Sequence, residues 1–344
     1  MPNIQANKLK KLCLAILQSA GTPEEESGIV ADHIIKANLR GVDSHGIRNI
    51  PRYIRNIKEG TITPGVPILT IKDTPTTAMW DVNNNFGFVA GKRAMETAIQ
   101  KAKIHRFGAV GTLNSKNGED HIGALAGYAE MAASHDMIGF VTSTRGSFAA
   151  AWGGKSRVLS INPMAVAVPA GAYPPIILDM ATTHTSMGHL YVKQLRGEPI
   201  PEGWILDKEG RPSINPQDFF DGGALLPFGT YKGYGLSVIL EAIAGGLGAG
   251  CSHDTLSYGQ LYTALDPSGF TPIQEFKNRI DAFIGHIKNS PTIDGVKEVF
   301  VPGEIENRTM KKRLKEGIPV DEAYWHDLME TAKQLGLDPE KIIL

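Results

Sequence analysis

Cysteine is scarce in this chain, with only Cys13 and Cys251 among 344 residues. Two cannot build a disulfide framework or a cysteine metal site, and the scarcity fits a reducing compartment, with the cytoplasm as the default expectation. Charge of one sign is lacking too. Thirty-five Lys and Arg stand against 36 Asp and Glu, a formal net charge of −1, so no basic excess points to nucleic acid and no basic amphipathic helix to a membrane surface. No apolar run spans a bilayer: the longest, 235–250, carries Glu241 and five glycines and reads as a buried helix. The amino terminus alternates Lys8, Lys10 and Lys11 with Leu9, Leu12, Leu14, Ile16 and Leu17, as an amphipathic helix would and a secretory leader would not.

Several motifs of familiar chemistry are also missing. No GxGxxG follows a strand, and no GxxxxGK[ST] loop occurs; the glycines of 245–250 follow a helix and read as its terminus. None of the ten histidines makes the four-apart pair with glutamate of zinc hydrolases, and His184 and His189 would diverge by about 140° on a helix, so no metal site is expected. Ser44 and His45 are neighbours in sequence. On that ground they are not expected to face one another as nucleophile and base.

What the chain does have is alternation. Helices are expected over 8–17, from Thr22-Pro23-Glu24-Glu25 (Thr22 capping, Glu25 closing a capping box) to Gly41, and over Ile50–Ile57. A proline-containing connector, 61–75, leads to a strand at 78–82. Then follow a helix over 87–106, a strand over 109–114, a helix over 122–135 and strands at 137–143, 164–169 and 176–180. A proline-rich stretch, an apolar helix over 232–246, a strand over 280–287 and helices over 304–315 and 321–335 complete the pattern. Strands alternating with helices predict a mixed α/β domain in the middle of the chain, with helices from both ends packed against it.

Between two of those helices lies a polar island, Asp43-Ser44-His45-Gly46-Ile47-Arg48-Asn49-Ile50-Pro51-Arg52-Tyr53. An imidazole titrates near neutrality, so His45 can give a proton to a carbonyl oxygen and take it back, and a nearby arginine can fork a substrate carboxylate. Equally, Ser44 could be an N-cap and His45 a surface residue of a first turn. Asp179 ends an apolar strand, where it can orient a histidine or cap a helix. His121-Ile122-Gly123-Ala124-Leu125 is expected to open a helix whose backbone amides suit an anion, or to hold a plain surface histidine. Arg145, after a strand, is a candidate for a 2′-phosphate or a solvated side chain.

Taken in order, the segments Arg40-Gly41-Val42-Asp43-Ser44-His45-Gly46, His121-Ile122-Gly123, Asn162-Pro163, Leu178-Asp179-Met180-Ala181-Thr182, Leu225-Leu226-Pro227-Phe228-Gly229-Thr230-Tyr231-Lys232-Gly233-Tyr234-Gly235 and Pro302-Gly303-Glu304 resemble the type-2 malate/L-lactate dehydrogenases. Relatives of that family include ureidoglycolate and sulfolactate dehydrogenases, diketogulonate reductase and piperideine-2-carboxylate reductase. The resemblance runs over nearly the whole chain. It implies a non-Rossmann, mixed-sheet domain binding NAD or NADP (74–303), a helical domain built from both termini (1–73 with 304–344), and a homodimer. By position it makes His45 the proton donor and acceptor, with Ser44 and Asp179 as relay partners. His121, Ile122, Gly123, Ala124, Leu125, Asp179, Met180, Ala181, Lys232, Gly303 and Glu304 would line the cofactor site, and Arg48, Asn49 and His121 the substrate side.

The implied reaction is hydride transfer between nicotinamide and a 2-hydroxy or 2-oxo carboxylic acid. An imine reductase acting on a cyclic or N-alkyl imine carboxylate is the alternative; a non-catalytic small-molecule binding protein is a remoter one. Two departures stand out. Asn49 occupies a place where many members carry arginine, with Arg48 one residue earlier, and Lys116 to Asp120 lengthen the turn before His121.

Overall fold

The computed structural model describes residues 2–114, 121–248, 250–251 and 258–343. The lengthened turn at Lys116 to Asp120 lies outside them. The chain is a mixed α/β protein. Helix α1 (Ala6–Ser19) buries Leu9, Leu12, Cys13, Ile16 and Leu17, the three-four spacing of one helical face. Helix α2 (Glu24–Leu39) buries Ile29, Val30, Ile34 and Ile35 and ends before Gly41, whose φ is +82°. The capping box expected at its start does not form. The Thr22 hydroxyl is buried without a partner among the described residues, while Glu25 reaches out to Arg93. Glu26 turns inward instead and accepts from the Gly65 amide and Asn85 Nδ2, both at 2.8 Å.

Helix α3 (Ile50–Lys58) follows two short 3-10 turns, Asp43–His45 and Ile47–Asn49. The side chains of α1 to α3 share one core with Phe86, Phe88 and Val89 and with Ile318, Val320, Leu328 and Ala332 near the carboxyl end. Asn3–Ile4 also pairs antiparallel with Ile318–Pro319.

Beside this core lies a seven-stranded sheet of β1 (Leu69–Asp73), β2 (Thr77–Asp81), β3 (Phe107–Leu113), β4 (Ile138–Arg145), β5 (Met164–Val168), β6 (Ile176–Met180) and β7 (Tyr258–Leu265), in spatial order β1-β2-β3-β7-β4-β5-β6. Only β2 and β3 run parallel; the other five pairings are antiparallel. Helices α4 (Gly87–His105) and α5 (Ala126–Ala133) pack on it through Ala94, Met95, Ala98, Ala129 and Ala132. Small side chains let helix and sheet approach closely. A Cβ at Gly108 or Gly139 would strike the Ala98 or Ala129 carbonyl.

Five departures from the sequence reading appear here. The central strand, β7, passes unnoticed in the sequence because Gln260 and Thr263 break its apolar look. The strand expected over 280–287 is part of a helix, α8 (Ile273–Lys288), and the spacing of Phe276, Ile280, Ile284 and Ile287 is indeed helical. Edge strand β1 reads as connector because all five of its residues are exposed. The apolar helix α7 (Tyr231–Leu247) is buried along one side only, leaving Tyr231, Val238, Ile239 and Leu247 bare. Helix α6 (Met187–Leu195), started by Ser186 Oγ accepting from the His189 amide, was not expected. The last helices are α9 (Glu304–Glu316) and α10 (Glu322–Gln334).

Candidate active site

The turn that carries His45 is held from three sides. Asn38, on α2, accepts from the Ile47 amide at 2.9 Å and donates to Asp43 at 2.6 Å. Arg313, from α9, forks Asp43 at 2.7 and 3.0 Å and also donates to the Asn38 carbonyl. Asn49 Nδ2 closes the turn on the Ser44 and Gly46 carbonyls at 3.0 and 3.1 Å. Gly46 packs directly on Asn38, where a Cβ would collide with the amide. The two 3-10 turns also overturn an expectation: they fold Ser44 Oγ to 2.9 Å from His45 Nδ1, so these neighbours do face each other.

His45 lines a cavity of about 490 Å³ together with Ser44, Arg48, Asn49, Arg52, His121, Ile122, Gly123, Leu125 and Arg145. Its ring stacks on His121 at 5.7 Å between centroids and 14° between planes. His121 Nδ1 lies 2.7 Å from the hydroxyl of buried Tyr53, which orients the ring. Burial, then the charges of Arg52 and Arg48, push His45 down to about 4. Burial first, and Arg52 next, hold His121 well below its usual range. Both rings are therefore neutral at pH 7 and able to accept a proton. Arg145 ends β4 and faces this same cavity, not open solvent.

The structure does not join Asp179 to His45. At the end of β6, Asp179 Oδ2 accepts from the Ala126 amide at 2.7 Å and so caps α5. Burial pushes its carboxyl up to about 6, against the Ala126 amide, the Arg40 charge and the Leu125 amide. Residues 121–125 precede α5 and do not open it, and a carboxylate already occupies the amide end expected to take an anion. His33 holds the segment instead, with Nε2 2.9 Å from the Ala124 carbonyl.

The remaining candidates lie elsewhere. Met180 and Ala181 are half-buried beyond Asp179, and Lys232 is exposed on α7. Gly303 and Glu304 border a smaller cavity of about 160 Å³ with Tyr173, Pro175, Lys288 and Arg308. Glu304 is tied to Lys288 at 2.7 and 2.9 Å and to Arg308 at 2.9 Å. Strand β6 borders this smaller cavity, the Ile177 amide donating to the Pro302 carbonyl at 3.0 Å. Sequence reasoning missed Tyr53, which reads as one more apolar helix position, and gave Arg52 no role. No group of His, Cys, Asp and Glu suited to a metal occurs among the described residues, and no helix among them is long and apolar enough to cross a membrane.

The clamp on the His45 turn carries its own prediction. Arg313→Met leaves the Asp43 carboxylate without its fork and is expected to lower stability by about 1–3 kcal/mol. Urea unfolding of the variant beside the wild type checks it, and unchanged stability removes the clamp.

Comparison with known proteins follows the same lines. The family model described as malate/L-lactate dehydrogenase matches residues 4–329. An L-sulfolactate dehydrogenase of Methanocaldococcus jannaschii is 37% identical over 97% of each chain, and a malate dehydrogenase of Pyrococcus abyssi is 36% identical over 97% of this chain and 95% of its own. The solved sulfolactate dehydrogenase of M. jannaschii superposes with a TM-score of 0.90 over the full length of both chains at 36% identity.

Proposed function

This chain belongs to the malate/L-lactate dehydrogenase family, and from that premise we propose that it interconverts a 2-hydroxy and a 2-oxo carboxylic acid in the cavity shared by His45 and His121. The observation that carries this reading is the pair of stacked, neutral imidazoles facing a cavity lined by Arg48, Arg52 and Arg145. Family membership makes the enzyme NAD(P)-dependent, and the lining suits the nicotinamide half. Ile122, Leu125, Ile161, Pro163 and Met187 offer an apolar wall for a flat ring, and the volume is that of an ordinary small-molecule site. The adenosine end is assigned to the Gly303–Glu304 cavity, reached along β6. When bound, the nicotinamide exchanges a hydride with the carbinol carbon.

The chain's own residues handle the proton. Neutral His45 takes it from the substrate hydroxyl as the alcohol is oxidised and returns it to the carbonyl oxygen in reduction. Ser44 Oγ holds Nδ1, so Nε2 is the working nitrogen. His121, oriented by Tyr53, stands beside His45 as the second imidazole of the cavity. Because Asp179 is engaged at α5, the relay consists of Ser44 and His45 alone. A panel of 2-oxo acids, 2-hydroxy acids and a cyclic imine acid, each with NAD and NADP cofactors, tests the reading. Turnover confined to the imine would replace it with imine reduction, and no turnover with any would end it.

The bare side of α7 belongs to a homodimer in this proposal. Tyr231, Val238, Ile239 and Leu247 are 61, 38, 58 and 57% exposed, a concentration of apolar surface that a lone soluble subunit rarely leaves open. Ile239→Glu is expected to halve the mass seen by light scattering. A wild-type protein that already runs as a monomer overturns the dimer.

A further inference from the structure

We propose that Arg52 anchors the substrate carboxylate, in place of the arginine that this chain lacks at Asn49. The role rests on the dehydrogenase reading above and names the residue that gives that reaction its preference for acids. The competing groups are placed differently. Asn49 spends its amide donors on the Ser44 and Gly46 carbonyls, and a neutral side chain could not replace a guanidinium fork in any case. Arg48 lies over the Tyr324 ring, its guanidinium carbon 5.0 Å from the centroid, which draws it toward α10. Arg145 comes from the end of β4, not from the helical joint that carries His45 and Arg52.

Arg52 stands differently. It sits in the first turn of α3, next to Tyr53, whose hydroxyl holds His121. Its guanidinium lies 5.1 Å from the Tyr53 ring centroid, and its one side-chain hydrogen bond among the described residues is a long one, Nη2 to the Tyr53 hydroxyl at 3.5 Å. Its Nε is buried and finds no acceptor among the described residues. A buried donor without an acceptor is costly, so an anion that draws the guanidinium across the cavity relieves an unfavourable state as well as making new bonds.

Position decides the chemistry. In a 2-hydroxy acid the carboxylate is one bond from the carbon that carries the reacting oxygen, so its anchor must stand beside the imidazole that moves the proton. Arg52 is the arginine whose charge acts most strongly on His45 and on His121 alike. Whichever ring does the work, the carboxylate held by Arg52 is beside it. A second consequence follows. Neutralising Arg52 removes the leading positive charge on both rings, so an acid substrate raises their proton affinity on arrival while an uncharged analogue does not.

The experiment uses full-length protein loaded with a nicotinamide dinucleotide and measures binding of oxamate, a flat 2-oxo carboxylate mimic, by titration calorimetry. Arg52→Met is expected to weaken oxamate roughly 10- to 150-fold, with cofactor affinity within about twofold; Arg48→Met is expected to cost less than about threefold. Arg52→Lys, which keeps the charge and loses the fork, should fall between, and millimolar guanidinium should restore part of the turnover of Arg52→Ala but none of that of an unrelated slow variant. Oxamate binding unchanged in Arg52→Met, or the loss appearing in Arg48→Met instead, overturns the assignment while leaving the dehydrogenase reading intact. Wild-type protein that turns over no acid and binds no oxamate overturns both.

Discussion

Replacing His45 by glutamine is expected to lower turnover roughly 10²- to 10⁴-fold, the range associated with loss of a positioned general acid or base, with cofactor affinity within about twofold. Glutamine keeps size and hydrogen bonding but cannot carry the proton. His121→Gln is the necessary comparison, because the two rings stack and both face the cavity. A smaller loss in His121→Gln fits an orienting partner, whereas a larger one exchanges their roles. The pH profile adds an independent reading. Since His45 is pushed down to about 4, it remains a base from neutrality down to that pH. The kcat/KM for oxidation of the hydroxy acid should therefore stay level on the acid side until pH falls toward about 4, and the acid limb should vanish in His45→Gln. An acid limb near 6.5 would mean that the free enzyme's ring is not desolvated as described.

Why so much of this site, and so little of its wiring, can be read in the sequence has a physical answer. His45, Arg48 and Arg52 share one island because a helical joint brings near neighbours to one surface, and such short-range information is written in order along the chain. Helices α1, α2, α3 and α10 are legible for a similar reason, their apolar faces recurring at three and four residues. What could not be read depends on distant partners. Arg313 reaches Asp43 across 270 residues and Tyr53 reaches His121 across 68, and nothing local marks either pair. Asp179 was legible as a functional group or a cap, and its bond to the Ala126 amide at the start of α5 depends on packing that no local pattern marks. Ser44 against His45 failed for the opposite reason: a regular helix keeps neighbours apart, but a 3-10 turn does not obey that spacing. Strand β7 shows a further limit, since a central strand need not look apolar when its Gln260 accepts from Thr112 on neighbouring β3.

Asp179→Asn should make the protein more stable relative to wild type as pH rises, and it should do so without abolishing turnover. In the folded chain the carboxyl is pushed up to about 6 by burial, against an ordinary value near 4 in the unfolded chain. Between those values the folded state holds a proton that the unfolded state has already released, so wild-type stability falls as pH rises through this window. Two pK units correspond to at most about 3 kcal/mol, and because Asp179 keeps more than a third of its surface exposed, solvent screening makes the realised difference smaller. Asparagine has no proton to lose, and its oxygen still accepts from the Ala126 amide, so the cap survives while the pH-dependent penalty goes. Urea unfolding of both proteins at several pH values from 4 to 7.5 gives the test. The advantage of the variant should grow from pH 4 to about 6.5 and then level. A constant difference would show that the carboxyl is not held in the protonated form, and turnover falling as far as in His45→Gln at saturating substrate and cofactor would return Asp179 to the proton relay.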